Sequence, residues 1–292
     1  MCDDDIHPGL IHAPYVSRRT LGLGSFGLIA SVAAAKAGRA AAAQPVTERD
    51  VEIKTPDGVA DAALIYPQAT GAWPAVLLWS DIMGLRPVLR EMGRRLAGEG
   101  YVVLIPNVYY RVKRAPAVEG PFNFNNPDDR AKLTPLRASL TPDGVTRDAA
   151  AYVAFLDAQP QTNKKARIGT QGYCMGGPLA FQTAAVAPDR VGAVASFQGG
   201  GLVSDKPDSP HLLIPKTKAE YLVLIADNDD KQAPGAKDVL RTAFAAAQRP
   251  AKVEVYEGAA HGWTIKGNQI YNEAAAEKAW AELLALYKRA LG

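Results

Sequence analysis

The stretch QGYCMGG, Gln171 to Gly177, places Cys174 between Gly172 and Gly176 in a G-x-C-x-G spacing. A nucleophile flanked in this way stands at a reversal where a strand ends and a helix begins. The apex residue adopts a positive φ, and side chains on the flanking positions would collide with strand and helix, which accounts for the two glycines. The context is present: ARIG reads as a strand leading into the turn, and PLAFQTAAVA as a helix leaving it. The N-terminus of that helix directs partial positive charge at the sulfur, which favours thiolate. The alternative is a small buried residue in a glycine-rich turn.

A cysteine nucleophile needs a base and an acid to orient it, and at such a turn the chain order is nucleophile, acid, histidine. Downstream of Cys174, LIADNDDKQAP follows a strand at Tyr221–Ile225 and offers Asp227, Asp229 and Asp230 at the carboxyl edge of a sheet. YEGAAHGW follows a strand at Lys252–Tyr256 and puts His261 in a glycine-rich loop. Taken singly, aspartates there serve turns and helix caps, and a loop histidine needs no task. Together, each just past a buried strand and in the required order, they read as a Cys-Asp-His triad. His211, in DKPDSPHLLIPKTK, competes, with only Asp205 or Asp208 between it and Cys174, and ranks below His261. Histidines so far apart, with no acidic cluster at ligand spacing, make no case for a metal, and nothing calls for a cofactor.

The elements that must position these groups alternate. Val51–Lys54 and Ala62–Tyr66 read as an antiparallel pair around Pro56-Asp57-Gly58. AVLLW (Ala75–Trp79) and YVVLIP (Tyr101–Pro106) are continuous apolar runs, as in strands buried on both faces. Helical patterns lie at Leu89–Ala97, Arg147–Leu156, Lys237–Ala247 and Glu273–Leu291. Strand followed by helix predicts an α/β fold, a mostly parallel central sheet with helices on both faces, in one domain. Arg114–Thr146, rich in Pro, Asn, Asp and Phe, reads as irregular: a lid or binding loop, or a packed surface excursion.

A formal charge of +3 over 292 residues, without an arginine stripe, does not suggest nucleic acid. The first 43 residues read as separate from the fold. Arg18 and Arg19 precede a weakly apolar run from Leu21 to Ala35 that ends in Ala41-Ala42-Ala43. The run is too short and too rich in Gly and Ser to span a membrane. It reads as a twin-arginine export signal cut before Gln44, giving a periplasmic or secreted protein of residues 44–292; a disordered leader is the alternative. Cys2 lies in that leader, which leaves Cys174 unpaired in the remainder.

GYCMGG, SDIMGL, IPNVYYR, the aspartate loop and HGW together resemble the dienelactone hydrolase family of α/β-hydrolases, over roughly Glu48 to the C-terminus. The resemblance implies that Cys174 attacks a lactone carbonyl, with Asp229 and His261 completing the triad. Asp229 is chosen because ADND matches the family's G-x-x-D loop, with Ala226 in place of the glycine. It also implies that Asp81, where the family usually has glutamate, pairs with the resting thiol, and that the backbone N–H groups of Ile82 and Met175 form an oxyanion hole. Arg111 matches an arginine that binds the substrate carboxylate, whereas Ile265, beside Lys266, stands near the place of a second one. Tyr109, Phe122, Phe124 and Trp263 could line the pocket. The expected activity is hydrolysis of a small lactone, carboxymethylenebutenolide-like, or of an activated ester through a cysteinyl acyl-enzyme. The alternatives are a general carboxylesterase or thioesterase with Arg111 idle, and a non-catalytic thiol-sensing binding protein.

Overall fold

The computed structural model describes residues 44–292; the expected export signal lies outside the described residues. Two long strands open the fold, β1 (Val46–Thr55) and β2 (Gly58–Pro67), paired antiparallel across the Pro56-Asp57 turn. Then come β3 (Ala75–Trp79), α1 (Pro87–Gly98), β4 (Val102–Pro106), α2 (Pro127–Ala138), α3 (Pro142–Ala158), β5 (Ile168–Tyr173) and α4 (Gly176–Val186). β6 (Val191–Phe197), β7 (Glu220–Ala226), α5 (Asp227–Gln232), α6 (Ala236–Ala246), β8 (Ala251–Tyr256) and α7 (Glu273–Ala290) complete the chain. The sheet has eight strands in the order β1-β2-β4-β3-β5-β6-β7-β8. β2 meets β4 antiparallel, and from β4 to β8 every pairing is parallel.

The apolar runs explain the layering. Every residue of β3 and β4 is buried, because helices cover both faces. Successive side chains point to opposite faces. Val76, Leu78, Val103 and Ile105 therefore pack with Leu89 and Leu96 of α1 and with Leu283, Leu286 and Tyr287 of α7. Leu77, Trp79, Val102 and Leu104 pack with α3, α4 and α6 through Tyr152, Phe181 and Phe244. Trp79 fixes one of these contacts in direction, its indole N–H donating to Thr183 Oγ1 at 2.9 Å.

Strand order reverses at β3: β4 lies on one side of it and β5 on the other. Crevices in open parallel sheets form at such a reversal, outside the carboxyl ends of the strands. Asp81 and Ile82 follow β3 there, and Cys174 follows β5.

The segment Arg114–Thr146 departs from the irregular run expected of it, because it contains all of α2 and the start of α3. Asn126 caps α2 by accepting the Asp128 N–H at 2.9 Å, Pro127 opens it, and Asp128 and Asp129 occupy its first turn. Its buried apolar contribution is Leu133 and Leu136, too few to produce a helical stripe in the sequence. Thr141 caps α3 in the same manner. Among the described residues no helix is long and apolar enough to cross a membrane.

Candidate active site

Cys174 occupies the residue after β5 with φ 51°, a left-handed conformation uncommon for a side-chain-bearing residue. The reversal is tight. A Cβ on Gly172 would lie 1.9 Å from the Gly176 carbonyl oxygen, and one on Gly176 would lie 2.6 Å from the Ser80 carbonyl oxygen. The Cys174 N–H donates to Phe197 O at 3.0 Å, and its carbonyl accepts from Gly177 N–H at 3.1 Å. The half-buried thiol is thus held from both β6 and α4.

α5 separates the three aspartates that the sequence left open. Asp227 pairs with Lys231 at 2.8 Å and Asp230 with Lys237 at 2.6 Å. Asp229 meets the histidine, its Oδ2 lying 2.7 Å from His261 Nδ1. The neighbouring Asn228 accepts the His261 backbone N–H at 2.8 Å, so consecutive residues of α5 hold both the ring and the main chain of His261. Burial opposes charge on the imidazole. The hydrogen bonds and negative charges of Asp229 and Cys174 outweigh it and push the His261 pKa up to about 10. The ring therefore sits between an acid and the thiol, both of which favour its protonated form.

Two amides lie beside the turn, Met175 next to Cys174 in sequence and Ile82 just past β3. Around them Met83 N–H donates to Asp81 Oδ1, Gly84 N–H to Asp81 O and Gly177 N–H to Cys174 O. Among the described residues the N–H groups of Ile82 and Met175 have no acceptor. Unengaged donors of this kind are what a developing oxyanion would require.

The profile of the Dienelactone hydrolase family matches residues 60–291. The chain belongs to the dienelactone hydrolase family. It is a hydrolase. Curated relatives include a Synechocystis protein named "Putative carboxymethylenebutenolidase", 27% identical over 78% of this chain and 91% of its own. An Escherichia coli K12 protein of the same name is 29% identical over 76% of this chain and 79% of its own. Among solved structures, a Klebsiella pneumoniae protein described as a "Putative Dienelactone Hydrolase" superposes with a TM-score of 0.74, covering 84% of this chain and all of that one at 22% identity. The dienelactone hydrolase of Anabaena variabilis gives 0.61, covering 85% and 99% at 19% identity. These superpositions show the α/β-hydrolase fold.

Within that family frame the structure gives three residues expected at the site other partners. Asp81 holds Arg86 in a two-pronged pair, at 2.6 and 2.7 Å, so its carboxylate is engaged by a guanidinium rather than by the thiol. Arg111 is not available to a substrate carboxylate. Its guanidinium bonds both oxygens of Asp148 at 2.8 Å and Asp57 Oδ2 at 2.6 Å, and stacks over Tyr110 at 4.5 Å. Burial opposes the charge on Arg111, but the hydrogen bonds it donates to Asp148 and Asp57 raise its pKa. Trp263 is fully buried and stacked on Tyr256 at 5.3 Å, anchoring the histidine loop to the core instead of lining a pocket.

Tyr109 is fully buried as well, yet its hydroxyl faces the site: it donates to Ile82 O at 2.8 Å and lies 3.4 Å from Met175 Sδ. Burial first, then the charges of Asp81 and Cys174, push its phenol well above the ordinary range. Tyr109 thus braces both residues whose amides are left unengaged. Phe122 packs edge-on to the exposed Phe124 in the insertion. His211 bonds Ser209 Oγ through Nδ1 at 2.8 Å, a local loop contact.

Arg86 and Asn228 were not signalled by motif or spacing; each is recognisable only once its partner is in place. The described residues contain no group of three or more His, Cys, Asp or Glu that could hold a metal.

The reassignment of Arg111 is testable. Asp148 is 1% exposed, so Arg111→Ala strands a buried carboxylate and is expected to cost about 3–5 kcal/mol in urea unfolding. The ratio of kcat/KM for an acidic lactone to that for its neutral analogue is expected to stay unchanged; a collapse of that ratio would return Arg111 to the substrate.

Proposed function

We propose that this chain hydrolyses a lactone or activated ester through a cysteinyl acyl-enzyme, with Cys174 as nucleophile, His261 as acid and base, and Asp229 orienting the ring. The observation that supports this most is Cys174 at a left-handed apex beside an imidazole held 2.7 Å from Asp229.

The preference of His261 for its protonated form suits the first step. A protonated ring beside the sulfur stabilises thiolate without any further base. The thiolate adds to the carbonyl carbon, and the resulting oxyanion is received by the Ile82 and Met175 amides. The carbon–oxygen bond to the leaving group then breaks. His261 passes its proton to the departing oxygen, leaving a thioester and a neutral imidazole.

The second step follows from the same charges. Once the sulfur is acylated, its negative charge no longer raises the histidine pKa, and part of the hold on the proton disappears. Neutral His261 takes a proton from water as the water attacks the thioester, and the thiol leaves as thiolate. Asp229 keeps the ring oriented and stabilises each imidazolium.

Thiolate is a better leaving group than amide nitrogen, so attack on an unactivated amide reverses. Enol lactones and activated esters are the substrates this design serves. The names of the curated relatives point to a butenolide bearing a carboxylate. The engagement of Arg111 by Asp57 and Asp148 favours a second reading, a carboxylesterase for uncharged esters. Rapid acid quenching during turnover of an aryl ester, followed by peptide mass spectrometry, is expected to find the acyl mass on Cys174. An acyl group on another residue, or none at any quench time under a kinetic burst, would overturn the acyl-enzyme.

A further inference from the structure

Gln198 is the residue immediately after β6. It has φ 42°, one of the few left-handed residues here that is not glycine, and is 1% exposed. The strain of that conformation would vanish with glycine. Glycine follows directly at Gly199, Gly200 and Gly201, so the side chain at 198 is retained where the backbone would be easier without it.

Its contacts give the side chain a task. Gln198 Nε2 donates to Thr264 Oγ1 at 3.0 Å. Thr264 lies three residues beyond His261, in the loop anchored by Trp263. The main chain at the same place serves the other half of the site. Gln198 N–H donates to Leu224 O at 2.8 Å, extending the ladder to β7, and the preceding carbonyl, Phe197 O, accepts the Cys174 N–H at 3.0 Å. One buried peptide therefore carries the bond that places the nucleophile and the side chain that ties down the histidine loop. Asn228 and Asp229 hold that loop from α5, and Gln198 holds it from β6, the strand next to Cys174.

We infer that Gln198 is a positioning residue, fixing the approach of His261 to Cys174 by clamping Thr264 to the strand end that holds the nucleophile's amide. The inference rests on the reading that His261 serves the thiol.

Two readouts test it in the full chain: kcat and KM for an aryl ester, and the pH profile of Cys174 alkylation by iodoacetamide. Gln198→Ala is expected to lower kcat about tenfold or more, as sub-ångström misplacement of catalytic groups does, with KM held within about twofold. Its alkylation is expected to be slower across the profile, because a displaced imidazole activates the sulfur less. Thr264→Val is expected to reproduce both effects, and Thr264→Ser, which keeps the hydroxyl, to restore them. The double variant Gln198→Ala/Thr264→Val is expected to be no worse than either single one, since both remove the same bond. A Gln198→Ala protein with wild-type kcat and alkylation profile would overturn the inference. So would additive losses in the double variant. If Gln198→Ala fails to fold, the Thr264→Val and Thr264→Ser pair decides alone: equal behaviour of the two overturns it. Turnover surviving in Cys174→Ala would instead defeat the catalytic reading, while the alkylation profile of Gln198→Ala would still report the clamp.

Discussion

Cys174→Ala is expected to lower kcat for an aryl or enol ester by about 10⁴-fold or more, the scale seen when a triad nucleophile is removed. The loss should fall on kcat, because the N–H groups of Ile82 and Met175 and the rest of the turn remain. Alanine is smaller than cysteine and fits the same apex, so circular dichroism and the urea midpoint should stay close to the parent values. The acyl mass should disappear from the quenched sample at the same time. Retention of a tenth of the parent rate by the folded variant would mean that some other group attacks the carbonyl. The effect is large because the design concentrates bond-making in one atom. On the proposed mechanism Asp229 and His261 serve that sulfur alone.

Much of this site is legible in the chain because its chemistry depends on order along the sequence. Gly172, Cys174 and Gly176 belong to one local turn, and the strands before Asp229 and His261 are apolar runs that any parallel sheet would bury. The parallel sheet follows from the same runs. What the chain hides is competition among charges. Arg111 lies in a motif that suggests carboxylate binding, but the carboxylates that hold it, Asp57 and Asp148, come from a hairpin turn and a helix far away in sequence. Asp81 is likewise claimed by Arg86, a contact of two side chains that no spacing rule anticipates. α2 is hidden for a different reason. Its stability rests on Asn126, Pro127 and two buried leucines, whereas Pro135 inside it reads as a breaker.

Gly172→Ala is expected to abolish folding to the native state, or to cost more than about 4 kcal/mol where any folded protein is recovered. The added methyl carbon would stand 1.9 Å from Gly176 O, 2.2 Å from Gly176 C and 2.8 Å from Gly177 N. All three are backbone atoms, so no rotamer change relieves the overlap. Shifting them would drive α4 against β3, where a Cβ on Gly176 is already 2.6 Å from the carbonyl oxygens of both Trp79 and Ser80. Soluble yield and urea unfolding check this, with Gly235→Ala as the control. Gly235 has a right-handed helical conformation and open space around it, so alanine there should be neutral or stabilising by a few tenths of a kcal/mol. A Gly172→Ala protein with parent stability would require an elbow geometry different from the one described.

No other cysteine lies between residues 44 and 292, and Cys174 is half-exposed at the rim of the sheet. Peroxide that reached it would leave a sulfenic acid with no resolving thiol among residues 44–292 to capture it as an internal disulfide. Regeneration then depends on a reductant supplied by the surroundings. Where that supply fails, oxidation proceeds to the sulfinic stage and the molecule is lost for good, which ties its working lifetime to the redox state of the compartment that holds it.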